Sequence, residues 1–167
     1  YLARGWQPVR IPRVIARVGA DGKPMFIPHP DGKPTKGPVW RGWEQTKFAA
    51  HEVQRTTLPE DHLPAPFHDT DNVGLLLGIP SGGLVDIDID CPEAEYLAPY
   101  LLLPTALMSG REKRRRTHWW YKVPGLRQQT KKRQARTQGT FIERRSTGGQ
   151  TVVAPSVHPE NDVYCWD

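Results

Sequence analysis

The heptad Leu84-Val85-Asp86-Ile87-Asp88-Ile89-Asp90 alternates apolar and acidic residues from its second position onward. Successive side chains of an extended chain point to opposite faces. The spacing therefore predicts a strand with Val85, Ile87 and Ile89 packed on one side and Asp86, Asp88 and Asp90 lining the other. Same-face carboxylates sit roughly 7 Å apart along such a strand. A row of this kind is tolerated at a solvated face, and it gains a use where divalent cations neutralise it. Hard cations such as Mg²⁺ or Mn²⁺ prefer carboxylate oxygens. An EF-hand loop also opens Asp-x-Asp-x-Asp, but it needs Gly at position six and Glu at position twelve, where this chain has Cys91 and Leu97. Cys91-Pro92-Glu93 follows the heptad. It predicts a helix over 90–103 with Asp90 at the N-cap, Pro92 in the first turn and Glu93 closing a capping box. Pro99 should kink or shorten that helix. Asp86 and Asp88 are then the expected metal ligands, with Asp90 a capping or outer residue.

Outward from the heptad the chain is strand-rich. Residues 7–18, 72–77, 118–123, 140–145 and 151–154 read as strands, and 164–166 as a final edge strand. Segments 72–77 and 82–89, joined by Gly78-Ile79-Pro80-Ser81-Gly82, have the form of a hairpin. Residues 19–36 carry two Asp-Gly-Lys-Pro units that read as turns of another. Residues 46–55 have helical character, and 58–71 form a proline-bearing loop. Strands with few helices between them predict an α+β fold with a mostly antiparallel sheet.

The 167 residues suit one domain. No segment approaches the roughly 20 consecutive apolar residues that span a bilayer, which argues against a membrane role. The chain opens at Tyr1 without a methionine and reads as a piece excised from a longer protein. Two cysteines, Cys91 and Cys165, are too few for a four-thiolate zinc site or a disulfide framework, and they fit a reducing, cytoplasmic compartment.

The net charge of +5 is unevenly spread. Residues 111–145 hold thirteen Lys and Arg against Glu112 and Glu143, a net of +11, which leaves −6 for the remainder. Segregated positive charge of this density suits a polyanion such as nucleic acid or a nucleoside triphosphate. The same density could also belong to a solvated basic loop with no partner.

Further site candidates lie in and after this basic segment. Glu143 stands in the strand-like run Phe141-Ile142-Glu143-Arg144-Arg145, and period two puts it on one face with Arg145. Glu143 is either the third carboxylate of a metal site or an ion-pair partner among arginines. Gly148-Gly149-Gln150 predicts a tight turn with close backbone approach to a ligand. His118 follows the run Arg114-Arg115-Arg116-Thr117 and shares a strand face with Trp120. It serves either as a structural histidine or as a phosphate contact. Pro155-Ser156-Val157-His158-Pro159 is a stiff polar turn, either ligand-facing or simply a loop.

The order of these pieces resembles the primase-polymerase (prim-pol) domain of the archaeo-eukaryotic primase superfamily, found in replication proteins of plasmids, phages and mobile elements. Tyr1-Leu2-Ala3-Arg4-Gly5-Trp6, Lys36 with Pro38 and Gly42-Trp43, and Asn72-Val73-Gly74 with Gly78 are similar to its opening region. Asp86-Ile87-Asp88 resembles its first motif. Arg116-Thr117-His118 resembles its second, with Arg116 in place of a small residue. Phe141-Ile142-Glu143 resembles its third, and 149–166 its closing segment.

The resemblance covers nearly the whole chain, 1–167, as a single catalytic domain. It implies an RRM-like α+β core with a small additional α/β module and a cleft between them. It implies a DNA primase/polymerase, a nucleotidyltransferase working in DNA replication in a prokaryotic or phage-infected cell. Asp86, Asp88 and Glu143 would hold two Mg²⁺ or Mn²⁺ ions, with no zinc-binding stem. His118, Arg116, Arg145, Gln150, Ser156 and His158 would contact the incoming dNTP or NTP. Arg127, Lys131, Lys132, Arg133 and Arg136 would track the backbone of a single-stranded DNA template or primer strand. A helicase domain in the parent chain is a further expected partner. Two other readings suit the same residues: a metal-dependent nuclease, and a non-catalytic nucleic-acid-binding module.

Overall fold

The computed structural model describes residues 1–11, 15–18, 24–27, 71–126, 130–135 and 139–167, with the backbone alone at 15–18, 24–27, 132–135 and 139. The readings of 46–55 as helical and 58–70 as a loop, the Asp-Gly-Lys-Pro turns, and the segment with Lys36, Pro38 and Gly42-Trp43 lie outside the described residues.

Eleven described strands form three antiparallel sheets, and the one described α-helix packs against the largest of them, an α+β arrangement. The strands are β1 (Gln7–Ile11), β2 (Ile15–Val18), β3 (Pro24–Ile27), β4 (Asn72–Leu76), β5 (Leu84–Ile89), β6 (Met108–Arg111), β7 (Arg114–Lys122), β8 (Lys131–Ala135), β9 (Gly139–Arg145), β10 (Gln150–Val153) and β11 (Tyr164–Trp166); the helix is α1 (Pro92–Leu101). The largest sheet runs β11-β6-β7-β5-β9-β8, and a smaller one runs β1-β4-β10. Strands β2 and β3 pair separately. Residues 7–18, read as one strand, thus divide between two sheets.

The heptad forms β5, near the middle of the large sheet and hydrogen-bonded on both sides. Its two faces do different work, as alternation requires. Ile89 packs with Ala94 and Ala98 of α1, flanked by Trp119 and Phe141. On the opposite face Leu84 joins Trp6, Leu75, Leu77, Trp120 and Val153 in the core between the two larger sheets. Asp86 follows Leu84 on that face, so the acidic row begins at the rim of the core.

Strands β4 and β5 do not pair as a hairpin. Gly78-Ile79-Pro80-Ser81-Gly82 forms a 3-10 turn at Ile79–Ser81, with left-handed backbone at Gly82, and only the bridge between Gly78 and Leu84 joins the two sides. Beyond it β4 pairs with β1 and β10, and β5 with β7 and β9. Burying Leu75, Leu77 and Leu84 in one inter-sheet core favours this crossing over a flat two-stranded ribbon.

Helix α1 begins one residue later than expected. Cys91 is its N-cap, in extended conformation and without a side-chain capping bond, and Asp90 stays outside the helix and exposed. Pro99 lies within the last turn and the helix ends at Leu101.

Candidate active site

Strand register gathers the charged residues. On β5, Asp88 faces His118 of β7 on one side and Glu143 of β9 on the other. One step along, Asp86 faces Trp120 and Arg145. Carboxylate oxygens of Asp88, Asp90 and Glu143 lie within 4.8 Å of one another. These three open into a cleft of about 420 Å³, also lined by Arg111, Arg114, His118, Arg145, Gln150, His158 and Tyr164.

Asp86 is closed to the cleft. Its side chain is 0 % exposed, and its oxygens accept the Thr151 hydroxyl at 2.5 Å and His118 Nδ1 at 3.0 and 3.2 Å. Asp90, read from the sequence as a cap, takes the place expected for Asp86 in the carboxylate cluster. The reason is depth. All three aspartates share a face, but the small sheet covers the Asp86 end through Thr151, and Asp90 lies at the open end.

Arg145 binds the cluster together. Its guanidinium donates to Asp88 and, at 3.0 Å, to Glu143 Oε2. It lies 3.4 Å from Thr151 Oγ1 and 3.8 Å from Asp86. Burial would lower its pKa, but the three carboxylates outweigh burial and raise it. For Asp86, burial works towards a higher pKa. The His118 charge and hydrogen bond, Arg145 and the Thr151 hydroxyl prevail and hold the carboxyl below the ordinary range. Asp88 is pushed up by burial and by the neighbouring Asp86 and Asp90 charges, against Arg145 and His118. A carboxylate whose ionised form is disfavoured in this way gains from an added cation.

His118 is raised above its ordinary 6.5, because the Asp86 charge and hydrogen bond overcome burial. The sign of the pH dependence follows. The stabilisation is complete below pH 6.5 and is lost as pH rises through the folded value. We expect the thermal midpoint of the metal-free protein to fall on this alkaline limb and His118→Gln to flatten the limb. An unchanged slope in differential scanning fluorimetry would exclude the His118–Asp86 pair as its source.

Other predicted residues lie in different settings. Arg116 is turned out of the cleft: it is 66 % exposed and lies 3.7 Å from Asp167. The cause is a bulge between β6 and β7, where the register shifts between Ser109 and Arg111 and Arg116 adopts φ 57°. Gly110 makes room for it, since a Cβ there would lie 2.6–2.9 Å from the backbone of residues 114–116. The inward positions on this hairpin go to Arg111 and Arg114 instead. Arg114 donates to Glu95 at 2.5 Å and to the Ile89 carbonyl at 3.2 Å, and Arg111 pairs with Glu160 and Asp162. Ser109-Gly110-Arg111 reads in the sequence as the start of a phosphate-facing loop, and Arg111 does line the cleft, on a strand. Arg114 and Tyr164 were not singled out, although the charge density of 111–116 was plain there.

Ser156 is a staple and does not line the cleft: it is buried, and its hydroxyl accepts from Val73 N–H and donates to the Val73 carbonyl. It supports the turn that carries His158, as do the Asn72 side-chain bonds to the Val157 backbone. Lys131, Lys132 and Arg133 lie on β8, an edge strand paired with β9 where a basic loop was expected. Arg127 and Arg136 lie outside the described residues.

Three carboxylates converging on one point offer hard oxygen donors, which suits Mg²⁺ or Mn²⁺. The cations beside them suit an anionic substrate. Over its whole length, residues 1–167, the chain matches the family model described as bifunctional DNA primase/polymerase, N-terminal (Prim-Pol), and it belongs to that family. No curated protein and no solved structure matches it. No described helix is long and apolar enough to cross a membrane.

Proposed function

We propose that this chain carries out template-directed nucleotidyl transfer, making or extending a DNA primer. The observation that carries the reading is the juxtaposition, in one cleft, of a carboxylate trio with Arg111, Arg114, His118 and Arg145. A nucleoside triphosphate bound with divalent cations needs both halves of that arrangement. Membership of the primase/polymerase family supports the same reading. A nuclease would need the carboxylates but not a pocket for a triphosphate.

Asp88, Asp90 and Glu143 would hold the divalent ions. Such ions, when bound in a pair, lower the pKa of an attacking hydroxyl and neutralise charge on the leaving pyrophosphate. Arg145, bonded to Asp88 and Glu143, keeps the carboxylates together and presents a guanidinium beside them. Planar guanidinium groups match phosphate oxygens in bidentate geometry, so Arg111, Arg114 and Arg145 are assigned to the triphosphate with His118. Gln150 and His158 line the same cleft and are assigned to the nucleotide as well.

The deciding assay supplies a single-stranded template, labelled nucleotides and Mn²⁺. Product longer than the input is expected. Shortened input would identify a nuclease, and a retarded but unaltered strand a binding module. In the same system Lys131, Lys132 and Arg133 are assigned to a strand backbone. Their joint neutralisation should reduce the slope of log affinity against log salt by about 2 units. An unchanged slope in fluorescence anisotropy takes β8 off the nucleic-acid path.

A further inference from the structure

Away from the carboxylates, a second cavity of about 730 Å³ has Tyr1, Arg4, Trp6, Leu107, Trp166 and Asp167 in its lining. It adjoins the active cleft along β11. Tyr164 lines the cleft, and Trp166, two residues on and on the same face of the strand, lines the cavity roughly 7 Å further along. The aromatic wall is held in place from behind. The Trp166 ring packs on Trp120 and Trp6 at centroid distances of 5.2 and 6.1 Å, and its Nε1 donates to the Tyr1 hydroxyl at 2.9 Å. That hydroxyl donates in turn to the Ala154 carbonyl. Three guanidinium groups stand at the rim. Arg4 lies 5.3 Å over the Trp6 ring, and Arg115 and Arg116, 55 % and 66 % exposed, share the Asp167 carboxylate at 2.9 and 3.7 Å. One carboxylate among three guanidinium groups leaves this rim positive. The bulge that turns Arg116 out of the cleft is what delivers it here.

We propose that this cavity is a single-strand DNA site: an unpaired base stacks on its aromatic wall, and Arg4, Arg115 and Arg116 meet the phosphates on either side. Aromatic faces inside a positive rim are the combination that binds single strands of any sequence, since every base has a face to stack and every nucleotide a phosphate. A duplex keeps its bases stacked on one another and has none to give the wall. The rim also lies at the β11 edge of the large sheet, opposite the basic edge β8, with the active cleft between them. A strand that leaves the cleft past Tyr164 therefore reaches the cavity within about one or two nucleotides. That this strand is the template rests on the proposed function; the binding of single-stranded DNA in the cavity does not.

Two measurements on the whole chain, without metal or nucleotide, test this. The first is anisotropy of a labelled single strand and of the same sequence as a blunt duplex. Arg115→Gln combined with Arg116→Gln should reduce the single-strand slope of log affinity against log salt by about 1.4, the value for two phosphate contacts. Trp166→Leu should weaken single-strand binding about 10-fold and leave duplex binding within about 2-fold, because only an unpaired base can stack there. The second is photocrosslinking of a single strand carrying 5-iodouracil to the wild-type protein, which depends on no variant folding. Adducts at Trp166, Trp6 or Tyr1 are expected. Adducts that avoid all three, as when the cavity serves a protein partner, overturn the proposal. So does an unchanged salt slope in the arginine variant, or an equal loss for single strand and duplex in Trp166→Leu. Crosslinks at the cavity in a chain that extends no primer would defeat the proposed function and leave this site standing. Primer extension by a chain without those crosslinks would do the reverse.

Discussion

Asp88→Ala is expected to reduce primer extension by about 10³-fold or more while single-stranded DNA binding stays close to wild type. The size follows from the several kcal/mol of charge stabilisation that a bound cation supplies, at about 1.4 kcal/mol for each tenfold in rate. Asp88 is the sharpest choice among the acids because it is central. It lies across from both His118 and Glu143, accepts from Arg145 and belongs to the converging trio. The substitution leaves the apolar face of β5 untouched, so the fold should survive. Extension assays paired with anisotropy on the same preparation separate chemistry from strand binding. Retained synthesis would remove Asp88 from the metal site.

Arg145→Ala should produce the largest loss of stability. The substitution removes the guanidinium that Asp88 and Glu143 share and leaves Asp86 and Asp88 facing His118. Breaking a buried ion pair by removing one partner costs about 3–5 kcal/mol. For a chain of this size that corresponds to a fall in thermal midpoint of about 10 °C. Mn²⁺ should restore much of the loss, since a cation binding only the folded state stabilises it by mass action, by about 2.7 kcal/mol at one hundred times its dissociation constant. Wild type, already holding an internal cation there, should respond less. A variant with an unchanged midpoint and no response to Mn²⁺ would mean that the carboxylates do not depend on Arg145.

Much of this site could be read in the chain, and its failures have identifiable causes. Strict alternation in 84–90 was enough to separate the apolar face from the acidic one, and Phe141-Ile142-Glu143 was enough to supply a partner strand. Alternation does not report depth, however. Whether Asp86 or Asp90 meets the cleft depends on which end the small sheet covers, and that sheet is assembled from β1, β4 and β10, far apart in sequence. Arg116 was assigned to the nucleotide by the family resemblance, at a position where it replaces a small residue; its left-handed backbone within the strand turns it out of the cleft, and no pattern in the sequence announced that bulge. Strand β6 went unread since Met108-Ser109-Gly110-Arg111 has neither β-branched residues nor alternation. Strand β8 went unread since Lys131-Lys132-Arg133 shows charge where a pattern would be.

The residues lining the cleft run from Asp88 to Tyr164, and the wall carrying His158 is pinned to β4 by Asn72 and Ser156 across more than eighty positions. A ribosome delivers these parts in order, so the cleft is not complete until the tyrosine at 164 has left the exit tunnel. Until then the buried acids stand without their full set of neighbours, and the half-made sheets present open edges. Unpaired edges of this kind are what make partly folded chains prone to aggregation, so the last strand closes the site and the exposed edge together.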